Sequence, residues 1–97
     1  MSIENQEIAL RGSWKFDGKK ALKDSVCERI EYLISNYLKK VASDSSGWNT
    51  LYQDPQDNRY WELIYPDSEL QGGGPPSLIN LSIENVIRKY HLPLSLK

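Results

Sequence analysis

Apolar positions recur along this chain with two different periods, and together they predict a hairpin, a helix, a second hairpin, a strand and a second helix. Leu10 to Phe16 reads as a strand ending in the Asp17-Gly18 turn, with Lys19 to Leu22 as a short return strand. Ser25 followed by Glu28 has the pattern of a capping box, in which each side chain satisfies an otherwise unpaired backbone donor at a helix start. Val26, Ile30, Leu33, Ile34, Tyr37, Leu38 and Val41 then follow at helical spacing as one broad apolar stripe. Lys39 and Lys40 suit the negative end of that helix, and Asp44-Ser45-Ser46-Gly47 breaks it.

Two aromatic strands come next, Trp48 to Asp54 and Arg59 to Tyr65, joined by the turn-forming residues Pro55-Gln56-Asp57-Asn58. A four-residue loop puts Asp54 opposite Arg59 and Tyr52 opposite Trp61, pairing unlike charges and clustering large rings. In that register Trp48, Tyr52, Trp61, Leu63 and Tyr65 share one side of the sheet. The other side shows Asn49, Leu51, Gln53, Tyr60, Glu62 and Ile64, which is too mixed for a dry core and too apolar for plain surface. After Gly72-Gly73-Gly74-Pro75-Pro76, Ser77 to Leu81 reads as a strand. Ser82 is the expected N-cap of a short helix bearing Ile83, Val86, Ile87 and Tyr90 on one face and ending at His91-Leu92-Pro93. The expectation is a single α+β domain over residues 1–97: a small antiparallel sheet of four or five strands, with one long and one short helix packed over one face.

Charge changes the picture from a scaffold to a surface. Between Ala42 and Asn85 seven acids, Asp44, Asp54, Asp57, Glu62, Asp67, Glu69 and Glu84, stand against Arg59 alone, a formal charge of −6 in a chain whose net charge is −1. Such a field favours cationic partners and repels phosphate, so nucleic acid is not an expected ligand. The lone Cys27 forms no internal bridge, which suits a reducing cytosol. The start of the chain is acidic where a secretion signal needs cations, and no run reaches the roughly 18 apolar residues of a membrane span. A cytoplasmic protein that engages no membrane is expected.

Several residues invite chemical readings. The glycine triplet lacks the Lys-Ser/Thr that follows a phosphate loop, and reads instead as a bend into an extended arm. Cys27 falls on the Ile30 and Ile34 side of the first helix, as buried filler. His91, the single histidine, sits where a helix ends and reads as a cap or a surface residue. Glu62, between Trp61 and Leu63, is the one carboxylate in an apolar setting suited to general acid or base work. Calcium-loop spacing is absent, and neither metal nor cofactor is expected. Carboxylates mixed with tyrosines fit a docking surface for a basic protein, because rigid rings anchor and charges steer. On charge and exposure its residues are Asp54, Asp57, Tyr60, Glu62, Asp67 and Glu69.

The run from Gly47 to Pro66, with Arg59-Tyr60-Trp61-Glu62-Leu63 at its centre, and the following Glu69-Leu70-Gln71-Gly72-Gly73-Gly74-Pro75-Pro76 resemble the immunity protein 27 family of bacterial toxin systems. Arg29-Ile30-Glu31-Tyr32-Leu33-Ile34 and Gly12-Ser13-Trp14 are similar to it as well. The resemblance implies a cytosolic protein without enzymatic activity that binds and neutralises a cognate toxin. The acidic surface adds the expectation that this toxin is cationic, a nuclease that holds phosphate with the same basic groups. Two other readings stay open at this stage: a module that stacks a sugar or other flat ligand on Tyr60 and Trp48, and a small hydrolase using Glu62 or His91.

Overall fold

Asp24 begins the first helix by accepting a hydrogen bond from the Cys27 backbone N–H at 2.8 Å, which satisfies a donor that the first turn leaves unpaired. In this computed structural model, which describes residues 3–4, 6–17, 20–66 and 74–92, the elements in order are β1 (Ala9–Arg11), β2 (Trp14–Asp17), β3 (Lys20–Lys23), α1 (Ser25–Asn36), β4 (Lys39–Ser43), β5 (Thr50–Gln53), β6 (Tyr60–Ile64), β7 (Ser77–Leu81) and α2 (Ile83–Tyr90). The cap therefore lies one residue before the expected Ser25. Gly18, Asp67, Glu69, Gly72, Gly73 and Pro93, each given a role from sequence, lie outside the described residues.

β1, β7, β6, β5 and β4 form one antiparallel sheet in that order, while β2 and β3 pair separately as a hairpin. The expected α+β class holds, as does the register of the aromatic hairpin: Tyr52 lies opposite Trp61, and the Asp54 N–H donates to the Arg59 carbonyl at 2.9 Å. The strand at Ser77–Leu81 and the Ser82 cap, whose hydroxyl accepts from the Asn85 N–H at 3.2 Å, also stand as expected.

Two elements depart from the sequence pattern. The strand expected over Leu10 to Phe16 is split at Gly12-Ser13, so that β1 joins the main sheet and β2 the hairpin. Gly12 donates to the Pro76 carbonyl at 2.9 Å, and a Cβ there would stand 2.6 Å from both that oxygen and Cys27 Sγ. The helix expected to reach Val41 stops at Asn36, where the Tyr37 and Leu38 N–H groups both close on the Leu33 carbonyl. Lys39–Ser43 is instead an edge strand on β5, with a bulge between Lys40 and Ala42. Cross-strand pairing overrides the helical spacing here: Leu38 stays buried in the core, whereas Val41, placed on the helical stripe by sequence, is exposed.

The helices cover opposite faces of the sheet, not one. Ile30 and Leu33 of α1 pack on Trp61, Leu63, Leu78 and Leu10, with Ile3 and Leu38 closing the cluster. Val86 and Tyr90 of α2 pack on Leu51, flanked by Tyr60 and Leu81. The side that reads as mixed is thus a second core, because Leu51 is wholly buried there and the one charge beneath α2 has partners.

Candidate functional site

The six residues expected to dock a partner do not form one open patch. Asp54 is completely buried at the end of β5, where its Oδ1 accepts from the Tyr37 hydroxyl at 2.6 Å and from the Gln56 N–H at 2.8 Å. Its Oδ2 is buried without a hydrogen-bond partner. Burial, then the hydrogen bond to Asp54, pushes the Tyr37 phenol up to about 12, so it remains a donor. Asp54 builds the turn that follows: its carbonyl accepts from Asn58, which takes the left-handed conformation at φ 65° that asparagine tolerates.

Asp57 is half-buried and occupied. Its two oxygens accept from the Arg59 N–H at 2.9 Å and from Arg59 Nε at 2.7 Å. Burial alone would raise its carboxyl, but the bonds and charge of Arg59 outweigh that and hold it below the usual carboxylate range. Arg59 reaches further: Nη1 and Nη2 donate to the carbonyls of Glu7 and Glu4 at 2.7 and 3.0 Å, and the guanidinium lies 4.9 Å from the Trp61 ring centre. Arg29 forks onto the Glu7 carboxylate at 2.7 and 2.6 Å. These bonds hold Glu7 down to about 2. The two arginines together fasten the N-terminal segment over the Trp61 side of the sheet.

Glu62 is 5% exposed, which corrects its assignment to an open surface. It accepts from the Tyr90 hydroxyl at 2.7 Å and pairs with Lys89 Nζ at 2.6 Å. Burial, and then this carboxylate, push the Tyr90 phenol well above its ordinary range. Tyr60, on the same side of the sheet, is partly buried against Leu51, Val86 and Tyr90. Among the described members of the set, Asp54 and Asp57 thus gather at the β5–β6 turn, and Tyr60 and Glu62 lie beneath or beside α2.

The residues named for other chemistry are also structural. Cys27 is buried with its thiol on the Ser13 carbonyl, and burial pushes that thiol up, away from a reactive thiolate. His91 ends α2 in the left-handed conformation, its N–H on the Ile87 carbonyl at 2.8 Å. A cavity of about 200 Å³ opens between α1, β6 and the arm at Gly74, lined chiefly by Trp14, Ile30, Ile34, Leu63 and Tyr65 with the Lys23–Glu31 ion pair at its rim. Small-molecule sites usually occupy about 300–1,000 Å³, and this space is nearer to that of one large side chain. Among the described residues no group of His, Cys, Asp and Glu is placed to hold a metal ion, and no helix is long and apolar enough to cross a membrane.

The feature that sequence reasoning missed is the β4–β5 loop. Asp44 organises it by accepting from the Ser46, Gly47 and Asn49 N–H groups, the Ser46 hydroxyl and the Asn49 amide, the closest at 2.6 Å. Gly47 supplies a φ of 77°. Trp48, which the register places on the Trp61 side of the hairpin, is 57% exposed, its ring 6.2 Å from that of Tyr65 and nearly perpendicular to it. The signal was present in Asp44-Ser45-Ser46-Gly47-Trp48: turn formers placed directly before a large ring.

The fold is a small α+β unit in which Glu7, Asp57 and Glu62 each pair with a cation, while Asp44 and Asp54 hold turns. The model of the Immunity protein 27 family matches residues 16–82, from β2 to the cap of α2, and the chain belongs to that family. Membership carries an immunity role, with a protein toxin as the partner. No curated protein and no solved structure matches the chain.

Proposed function

We propose that this chain neutralises its toxin by occlusion in the cytoplasm, performing no reaction of its own, and that the toxin is a cationic domain, a nuclease. The observation that carries this reading is the formal charge of −6 between Ala42 and Asn85 on a member of an immunity family. A nuclease must present cations to phosphate, and an acidic protein can occupy that surface in place of the nucleic acid. The charges within this segment are not equivalent. Asp57 and Glu62 are paired with Arg59 and Lys89, and Asp54 is enclosed. Among the described residues, the segment's Asp44 and Glu84 have no cation of their own and would offer their charge to a partner, with Asp57 and Tyr60 as flanking contacts; Asp67 and Glu69, which lie outside the described residues, add formal charge to the same segment. Asp54 and Glu62 support the surface from within.

Co-expression with its cognate toxin domain tests the reading. The wild-type chain is expected to protect cells. The variant Asp67→Lys/Glu69→Lys/Glu84→Lys loses protection and binding while retaining its circular dichroism spectrum. Full protection by that variant would remove the charge account.

A further inference from the structure

The β4–β5 loop holds its most hydrophobic residue outward. Trp48 is the most exposed of the large aromatic rings among the described residues, and nothing in either core cluster requires it there. The loop beneath it is fixed rather than pliant: Asp44 closes the turn through its carboxylate, the Ser46 hydroxyl accepts from the Trp48 N–H at 3.1 Å, and the Asp44 N–H donates to the Asn49 carbonyl at 3.0 Å. A ring presented on an ordered loop loses little conformational freedom when a partner covers it. The T-shaped contact with Tyr65 leaves more than half of the residue exposed.

Charge selects what that face would take. Asp57 and Glu62 have cations of their own, but among the described residues every group bonded to the Asp44 carboxylate is neutral: backbone N–H groups, the Ser46 hydroxyl and the Asn49 amide. These bonds keep Asp44 ionised, holding its carboxyl below the usual range, with the Ser46 hydroxyl contributing most. Its full negative charge therefore stands on the same closed turn that presents the exposed indole, a combination that attracts guanidinium or ammonium groups and repels phosphate.

We infer that Trp48 and Asp44 form a docking point for a cationic side chain, an arginine or lysine, on the toxin domain. This rests on the immunity reading above, and it adds a specific anchor that the acidic field alone does not supply. The loop lies away from the β5–β6 turn, so the toxin is engaged at the β4–β5 end of the sheet.

The test is calorimetric titration with the cognate toxin domain, using wild type, Trp48→Leu and Trp48→Phe, each first shown by thermal melting to be folded. Trp48→Leu keeps an apolar surface and loses the π face. It is expected to weaken binding by about 10- to 30-fold, whereas Trp48→Phe stays within about 3-fold of wild type. Replacing the arginines and lysines of the toxin by alanine in turn should reveal one whose loss is not additive with Trp48→Leu. Unchanged binding by Trp48→Leu overturns the inference, as does equal weakening by both variants with no coupled cation. Absence of binding by the wild-type chain itself would instead overturn the immunity reading, and the docking point with it.

Discussion

Tyr90 and Glu62 are joined across 2.7 Å, the phenol of α2 donating to a carboxylate of the central strand β6. Lys89, one residue earlier on α2, reaches the same carboxylate at 2.6 Å. An unpartnered charge under a helix would be costly to bury, but one met by a hydroxyl and an ammonium is tolerable and fixes where the helix sits. This pair explains why a sheet face with both polar and apolar residues can be covered.

Stability should accordingly depend on both sheet faces. Tyr90→Phe is expected to cost about 1.5–3 kcal/mol, the range for a hydrogen bond to a charged group, and Glu62→Ala a comparable amount because it leaves the Tyr90 hydroxyl buried without an acceptor. Trp61→Ala, which empties the larger core, should cost about 3–5 kcal/mol. Urea melts would decide the matter; wild-type stability in Glu62→Ala would contradict the clamp.

The N-terminal fastening predicts an acid-sensitive contribution. Glu7 titrates at about 2 in the folded protein against an ordinary 4.5, so its stabilising effect is complete above the ordinary value and is lost as pH falls from there towards 2. Glu7→Gln should therefore be less stable than wild type at neutral pH, and the difference should shrink below pH 4.5. A gap that stays constant from pH 7 to pH 2.5 would dissociate the Arg29–Glu7 fork from stability.

At Gly12 there is no room for a methyl group. Gly12→Ala should destabilise by about 1–3 kcal/mol, as overpacking does. Adding Cys27→Ala removes the sulfur neighbour but not the Pro76 carbonyl, so the double variant should recover only part of the loss in thermal melts.

Binding to the toxin domain should be fast at low ionic strength and slow as salt screens the opposed fields. Stopped-flow association measured from 20 mM to 500 mM salt should show a decline of tenfold or more. A flat profile would leave the immunity role intact and remove its electrostatic explanation.

Much of this fold was legible because several signals were local. The Tyr52–Trp61 register followed from ring clustering and the turn residues, and Ser82 announced α2 through capping chemistry. The end of α1 was not legible: Leu38 and Val41 continue a helical spacing, and only pairing with β5 turns Lys39–Ser43 into a strand. The charged residues misled for a related reason. Formal charge is additive along a sequence, but its exposure depends on distant partners, as when Glu62 meets Lys89 and Asp57 shares Arg59 with the backbone of Glu4 and Glu7. Strand alternation also made Trp48 the first residue of a strand, although its position lies in the loop before β5 begins.

The fastening of the first residues by Arg59 sets an order on the birth of the molecule. During synthesis Glu4 and Glu7 leave the ribosome more than fifty residues before the guanidinium that will hold their carbonyls, and β1 waits longer still for β7. The segment carrying Glu4, Glu7 and β1 is thus seated only after much later residues have been made, which favours slow closure through non-local contacts. A nascent chain halted before β7 could form α1 and the aromatic hairpin yet leave β6 with an open edge. Protection of a cell would then begin only once translation had passed that strand, a delay measurable by arresting synthesis at successive lengths and assaying protease resistance.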